Sequence, residues 1–367
     1  MRAMILAAGF GTRLAGLGLS LPKPLFPVCN VPLVRWAVSF LAGHGVTEIV
    51  VNLHHRGELL REVLGDGSSI GVRILYSEEE GQILGTGGGV RHALPLLQEG
   101  DEPFVLMNGK IVSDVDLFAA LRHHRATGAA ATMVVVPDPE AARWGAIGVD
   151  AEGRVRRLLG APEPQPGGDG TDLGEHMFTG IHLLDPRFVA SLPEGPSCIV
   201  RAGYRPALDR GVPLGAYLHQ GYFWEHSTPE RWLRGNLNLV KGLAPDSPSG
   251  AEQGTKPAVA RFPPGPLRGV DPSARIAKDA TLDAAVLVGP GAEIGKGVLL
   301  GPGVVVGPRA RVDAGSSLAN TLVLEGARAS GSVENAVITP DGLVHGVDPM
   351  GPGPRTGPAL GAASSGS

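Results

Sequence analysis

Cysteine is scarce in this chain. Only Cys29 and Cys198 occur among 367 residues, which excludes a disulfide framework and any paired-cysteine zinc spacing. An excess of either charge is also missing. The 32 basic and 36 acidic residues leave a net charge of −4, so nothing signals a basic face for nucleic acid. No apolar run approaches the roughly 18–20 residues of a membrane span. The opening Met1–Gly9 begins like a secretion signal, but it is too short and Arg13 interrupts it. The expectation is a cytoplasmic protein with no nucleic-acid and no membrane partner. Glycine and proline, by contrast, are plentiful, at 55 and 32 residues. Glycine is about double its average share of roughly 7%. No Gly-X-Y triplet persists, which excludes collagen, and 43% hydrophobic residues argue against global disorder. The length suits two domains rather than one.

Short apolar runs alternate with helical spacing through the first two-thirds. Met4–Ala8, Glu48–Asn52, Arg73–Tyr76, Phe104–Met107 and Ala131–Val136 read as buried parallel strands. Between them Leu33–Gly43, Glu58–Leu64 and Leu117–Thr127 read as helices, the last with Asp116 as its N-cap. This β-α order predicts an α/β fold built on a doubly wound sheet, with ligands bound at the carboxyl ends of the strands. The loops after Ala8, Tyr76 and Met107 are therefore the places to search.

A Pro/Gly/Ser/Ala-rich stretch at 244–267 reads as a linker, and 341–367 as a flexible tail. Between them, at 268–340, aliphatic residues recur every sixth position. They run from Val270, Ile276 and Leu282 through Val288, Ile294, Leu300, Val306, Val312 and Leu318 to Leu324. A short strand with one inward aliphatic, then a tight turn, repeated in a coil, requires this spacing. The stretch resembles the hexapeptide repeat of left-handed parallel β-helices, three hexads to a coil. In relatives such coils often mediate assembly, so a homo-oligomer formed through the β-helix is expected. Many hexapeptide proteins are acyltransferases with a histidine base, but no histidine occurs from Ser227 to Val344. The coil therefore reads as structural.

After the first strand comes Leu6-Ala7-Ala8-Gly9-Phe10-Gly11-Thr12-Arg13-Leu14. Its glycines let backbone N–H groups close on phosphate oxygens, and Arg13 adds a permanent cation. Ten residues on, Pro22-Lys23-Pro24 holds a second cation between two residues of fixed φ. Two cations beside a phosphate loop suit a polyphosphate under attack.

With these two motifs the chain resembles the sugar-1-phosphate nucleotidyltransferases, or nucleotide-sugar pyrophosphorylases. Further matches are Gly85-Thr86-Gly87-Gly88-Gly89, Asn108-Gly109, Trp144-Gly145, Phe178-Thr179-Gly180-Ile181 and Thr228-Pro229-Glu230. The resemblance covers 1–243, and the appended coil is similar to that of the mannose-1-phosphate guanylyltransferase branch. It implies a Rossmann-like nucleotidyltransferase domain (GT-A-like) with a mixed, mainly parallel sheet, followed by a short left-handed β-helix. It implies a reaction in which a sugar 1-phosphate attacks the α-phosphorus of a nucleoside triphosphate, giving a nucleotide sugar such as GDP-mannose and pyrophosphate. Arg13 and Lys23 become the catalytic cations. Ala7, Ala8, Gly9, Gly11 and Thr12 hold the triphosphate, with Asn108, Gly109 and Lys110 beside it. The base falls to the segment of Gln82, Gly85, Thr86 and Gly87, and the sugar to Trp144, Gly145, Phe178, Thr179 and Gly180. Mg²⁺ bridges the phosphates between two carboxylates.

The chain departs from that pattern at the metal. Lys110 stands where the family's Asn-Gly-Asp carries its first carboxylate, and Glu225 where an Asp supplies the second. A family lysine in an x-Lys-Pro segment is matched only by Gly160-Ala161-Pro162. An ammonium beside a Mg²⁺ position repels it. Three readings are open: Lys110 takes the cation's place; the protein binds nucleotide or nucleotide sugar in a regulatory role without turnover; or Lys110 is an engineered, inactivating change. Elsewhere, His54-His55 and His123-His124 read as exposed residues unable to chelate together. The run Glu78–Glu80 reads as a solvated face, and Cys29 and Cys198 as buried small hydrophobes. Gln82 stands where guanylyltransferases often carry Glu, so the base is not fixed.

Overall fold

The structure is a computed structural model that describes residues 1–9, 21–138, 141, 146–158, 174–242 and 263–347. The expected strands form, each within two residues of its predicted bounds at either end: β1 Arg2–Leu6, β2 Glu48–Leu53, β3 Arg73–Glu78 and β4 Phe104–Asn108. They lie in the order β3-β2-β1-β4, all parallel. β5 (Ile111–Ser113) leaves the sheet, and β6 (Ala131–Pro137), β7 (Ile147–Val149) and β8 (Val155–Arg157) follow. The long β9 (Gly174–Leu184) inserts antiparallel between β4 and β6. β10 (Leu214–Leu218) then adds parallel to β6, and β11 (Phe223–Glu225) pairs antiparallel with β5. The sheet is thus mixed and mainly parallel.

Helices cover both faces. α1 (Leu33–Gly43), α2 (Gly57–Leu64), α3 (Gly85–Leu97) and α4 (Leu117–Thr127) are followed by the short α5 (Pro186–Ala190) and α6 (Arg205–Asp209), then α7 (Pro229–Lys241). α1, α2 and α4 bury Val34, Leu60 and Leu117 in one core with Ala3 and Ile5 of β1. α3 buries Val90 and Leu94 in a second core with Met4. The alternation of β1 residues between the two cores is the period of two of a strand buried on both sides. Asp116 caps α4 as its sequence predicts, accepting from the Ala119 N–H at 2.9 Å.

From Gly269, strands of two or three residues pair in parallel three hexads apart: Gly269 with Leu287, Arg275 with Glu293, Thr281 with Leu299. The three ladders fit the three sides of a β-helical coil, with Val288, Ile294 and Leu300 pointing into one core. The six-residue period holds through Leu318 and then slips. Val306 pairs with Val323, not with Leu324. The cause is a shortened corner, where Asn320 and then Asn335 take the left-handed conformation (φ 46° and 52°) that Gly303 takes in the coil before; asparagine tolerates it better than most residues. Val323 therefore fills the coil core, and Leu324 turns outward into a different cluster.

That cluster joins the coil to the α/β unit. Trp232, Leu233 and Leu237 of α7 pack with Leu287, Val305 and Leu322. Asn30 Nδ2 donates to the Val306 carbonyl at 2.9 Å, and Lys241 Nζ donates to Asn320 Oδ1 at 2.6 Å. One side of the coil is thus covered within the chain. Of the expected linker, 244–262 lie outside the described residues, as do 348–367 of the tail. The beginning of that tail is ordered: Val344–Gly346 pairs antiparallel with Ser332–Ile338, and Val347 is buried. The pairing is not periodic, so spacing gave no sign of it.

Two surface expectations are corrected. His124 is buried, with Nδ1 2.8 Å from Thr132 Oγ1 and Nε2 3.0 Å from Asp185 Oδ1. It lies four and seven residues after Ala120 and Leu117, which places it on the inner face of α4. Cys198 is exposed while Cys29 is buried, because the segment around Cys198 packs on α3 through backbone. No helix among the described residues is long and apolar enough to cross a membrane.

Candidate active site

The strand order reverses direction between β1 and β4, since β2 and β3 build outward on one side and β4 on the other. Doubly wound sheets bind ligands outside the strand ends at such a point. A cleft of about 270 Å³ opens there. It is lined by Ala7, Ala8 and Gly9 after β1, by Lys23 and Pro24, by Asn52 and Glu79 at the ends of β2 and β3, by Ile83, Gly85 and Thr86 at the start of α3, and by Asn108, Gly109 and Lys110 at the end of β4.

Asn52 and Glu79 brace three strand ends. Asn52 Oδ1 accepts from the Ala7 N–H at 2.7 Å, and its Nδ2 donates to Glu79 Oε1 at 2.6 Å. Glu79 Oε2 accepts from the Leu84 N–H at 2.8 Å, holding the turn into α3. Glu79 is only 4% exposed, against the solvated face expected of the Glu78–Glu80 run. The strand alternation carries it inward while its neighbours point out. Sequence reasoning missed both residues. An asparagine ending a buried strand was the available signal.

The glycine run opening α3 has a packing cause. A Cβ at Gly88 would lie 2.1 Å from the Gly195 carbonyl oxygen, and one at Gly89 2.8 Å from Glu79 Oε1. Gly87 faces Ser197 and Ile199 in the same way and does not line the cleft. Gln82 is exposed and also lies off the cleft. Only Gly85 and Thr86 of the expected base segment reach it.

Lys23 sits in a 3-10 turn after Pro22, nearly buried, and its Nζ donates to the Ser227 carbonyl at 3.0 Å. Lys110 follows β4, and β5 pairs with β11 so that Ile111 opposes Glu225. This register brings together the two departures at the family's metal carboxylates: Lys110 Nζ is ion-paired to Glu225 Oε1. Arg231 Nε donates to the Glu225 carbonyl at 2.7 Å. Burial pushes the Glu225 carboxyl up, but the charge and hydrogen bond of Lys110, with Arg231 and Lys23 behind them, outweigh it and hold the group below the usual carboxylate range.

Of the expected sugar residues, Phe178, Thr179 and Gly180 are described; none lines the cleft, and Gly180 adjoins it through Asn108. Gly180 has φ +81°, and a Cβ there would lie 2.2 Å from Asn108 Nδ2. The Thr179 hydroxyl donates to the Val134 carbonyl at 2.7 Å and accepts from the Ile181 N–H at 3.2 Å, so it shapes a β-bulge. Phe178 meets His182 edge-on at 4.7 Å. Gly11, Thr12, Arg13, Trp144, Gly145 and the segment Gly160-Ala161-Pro162 lie outside the described residues.

A cleft at the switch point of a mixed α/β sheet, lined by glycine-rich backbone and two lysines, is a ligand site of the kind that doubly wound folds carry. The family described as nucleotidyl transferase matches residues 2–226, and the chain belongs to it, among the sugar-1-phosphate nucleotidyltransferases. It is 32% identical to the mannose-1-phosphate guanylyltransferase of Mycobacterium tuberculosis over 247 residues, covering 66% of each chain. It is 30% identical to the UTP–glucose-1-phosphate uridylyltransferase of Synechocystis over 253 residues, covering 65% of this chain and 64% of that one. The matched segment thus spans just under two thirds of these relatives. The fold is similar to that of the crystal structure of HddC from Yersinia pseudotuberculosis, with a TM-score of 0.52 at 20% identity over 64% of this chain and 97% of that one.

A divalent metal belongs to the chemistry of this family, and the residues here do not fit one. The expected first carboxylate is an ammonium, and the second is its ion-pair partner. No group of three or more His, Cys, Asp or Glu placed for a metal occurs among the described residues.

Proposed function

We propose that the protein is a nucleotidyltransferase that condenses a nucleoside triphosphate with a sugar 1-phosphate. An oxygen of the sugar phosphate attacks the α-phosphorus. The bond from that phosphorus to the β-phosphate oxygen breaks, and pyrophosphate leaves. The observation that carries this reading is the cleft between the ends of β1 and β4, where two lysines and glycine-rich backbone face one volume. Phosphoryl transfer asks the protein mainly for positioning and for charge aimed at the phosphates. Lys23 is suited to the reacting phosphates, with Arg13 on the leaving pyrophosphate. Ala7–Gly9 would cradle the triphosphate, and the bulge at Phe178–Gly180 would border the sugar.

The relatives' names point to two pairs to try first: GTP with mannose 1-phosphate, giving GDP-mannose, and UTP with glucose 1-phosphate. The test is pyrophosphate release from a panel of four triphosphates and several sugar 1-phosphates, with Mg²⁺ present and absent. Release with one pair well above the rest is expected. Silence across the whole panel would overturn the proposal. The same reading sets the protein to work in the cytoplasm, where both substrates are made. It also has copies associating through the sides of the coil that α7 leaves uncovered, which sedimentation would check.

A further inference from the structure

The two positions at which this chain departs from its family's metal-binding carboxylates are in contact, and the contact has a direction. The Lys110 side chain is 25% exposed and lines the cleft, whereas Glu225 is 9% exposed and sits behind it. Glu225 is fixed from the rear: Arg231 holds its carbonyl, and the His226 N–H donates to the Lys110 carbonyl at 3.0 Å. Three cations, Lys110, Arg231 and Lys23, act on this one carboxylate. Glu79, the carboxylate that lines the cleft, has one oxygen bonded to Asn52 and the other to the Leu84 N–H.

A hard divalent cation such as Mg²⁺ needs oxygen ligands at about 2.0–2.1 Å in near-octahedral array. The carboxylate that could begin such a shell, Glu225, already carries the Lys110 ammonium on Oε1. A second positive charge within a few ångströms adds repulsion that burial strengthens.

We propose that Lys110 is a built-in cation. Its ammonium meets the phosphate oxygens of a nucleoside triphosphate where relatives are expected to present a carboxylate-bound metal. Glu225 is the counter-ion that aims it. The protein then binds the triphosphate without holding a divalent metal of its own. This rests on the reading of the cleft as a triphosphate site.

The experiment has two arms on the full-length chain, each with Lys110→Gln and Lys110→Asp beside it and circular dichroism to verify folding. In the first arm, Mn²⁺ alone is titrated and followed by electron paramagnetic resonance. The unaltered protein and Lys110→Gln should leave Mn²⁺ free, and Lys110→Asp should acquire a site, because it places a second carboxylate against Glu225. Stoichiometric Mn²⁺ on the unaltered protein would overturn the proposal. In the second arm, calorimetry measures GTP and UTP binding in EDTA and in Mg²⁺. The two affinities should agree within about threefold, and Lys110→Gln should weaken binding in EDTA by about tenfold or more, as loss of a charged hydrogen bond does. Binding that EDTA abolishes, or that Lys110→Gln leaves unchanged, would also overturn it. If no triphosphate binds in either buffer, the functional reading fails instead, and the Mn²⁺ arm still decides whether Lys110 excludes a metal.

Discussion

Asn52→Leu tests the brace beneath the phosphate loop. The side chain is 2% exposed and makes two short hydrogen bonds, to the Ala7 N–H at 2.7 Å and to Glu79 at 2.6 Å. Leucine has nearly the same shape but offers neither bond. The substitution strands a buried N–H, costing about 1–3 kcal/mol, and removes a donor from a buried carboxylate, costing about 1.5–3 kcal/mol. The loss of stability should therefore be about 3–5 kcal/mol. Two measurements separate this from generic core damage. Hydrogen exchange at the Ala7 amide should speed up far more than at Val105 in the middle of β4. In a double-mutant cycle with Glu79→Leu, the two changes should be less damaging together than their sum, because the second relieves the stranded carboxylate. Additive losses, or a total below about 1 kcal/mol, would refute the idea that Asn52 couples the two strand ends.

Gly180→Ala should cost about 1–3 kcal/mol in backbone strain at φ +81° and displace Asn108, so nucleotide affinity should fall along with the unfolding midpoint. An unchanged affinity would separate Gly180 from the cleft. Native alkylation should modify Cys198 alone, with Cys29 reacting only after unfolding, since burial pushes the Cys29 thiol up to about 12; two thiols reacting at equal rates would contradict the burial. Burial lowers His182 and His226 to about 3, from an ordinary 6.5. The unfolded chain binds those protons first, so stability present above pH 6.5 should be lost as pH falls toward 3. A shallower acid slope in His182→Phe would show this by denaturant titration at stepped pH; an unchanged slope would refute it.

Much of the fold was legible in local signals. α1 and α4 and their spacing follow from apolar periodicity, and the Asp116 cap from its place just before α4. The coil follows from its aliphatic residues up to Leu318. Beyond that the slip to Val323 was hidden, because a shortened corner at Asn320 changes register without changing composition. Within the site, Ala7–Gly9, Lys23 and Asn108–Lys110 could be named from their motif and do line one cleft. Asn52 and Glu79 could not: one lies in an ordinary strand and the other in a run of acids, and only the apposition of β1, β2 and β3 gives them partners. Gly87 of α3 misled for a similar reason, and Gly88 and Gly89 share its packing role. The residues they clear space for lie on distant segments at 195–199 and 79.

The sequence by itself determined the α/β unit, the repeating coil and the family signature, because each is written in residues a few positions apart. It also marked Lys110 and Glu225 as the departures at the family's metal-binding carboxylates, 115 residues from one another. Only the tertiary structure decided that they are one feature. The antiparallel pairing of β5 with β11 sets Ile111 opposite Glu225, and the ammonium and carboxylate meet. Opposite charges held together in a partly buried place neutralise each other in a way no linear spacing encodes.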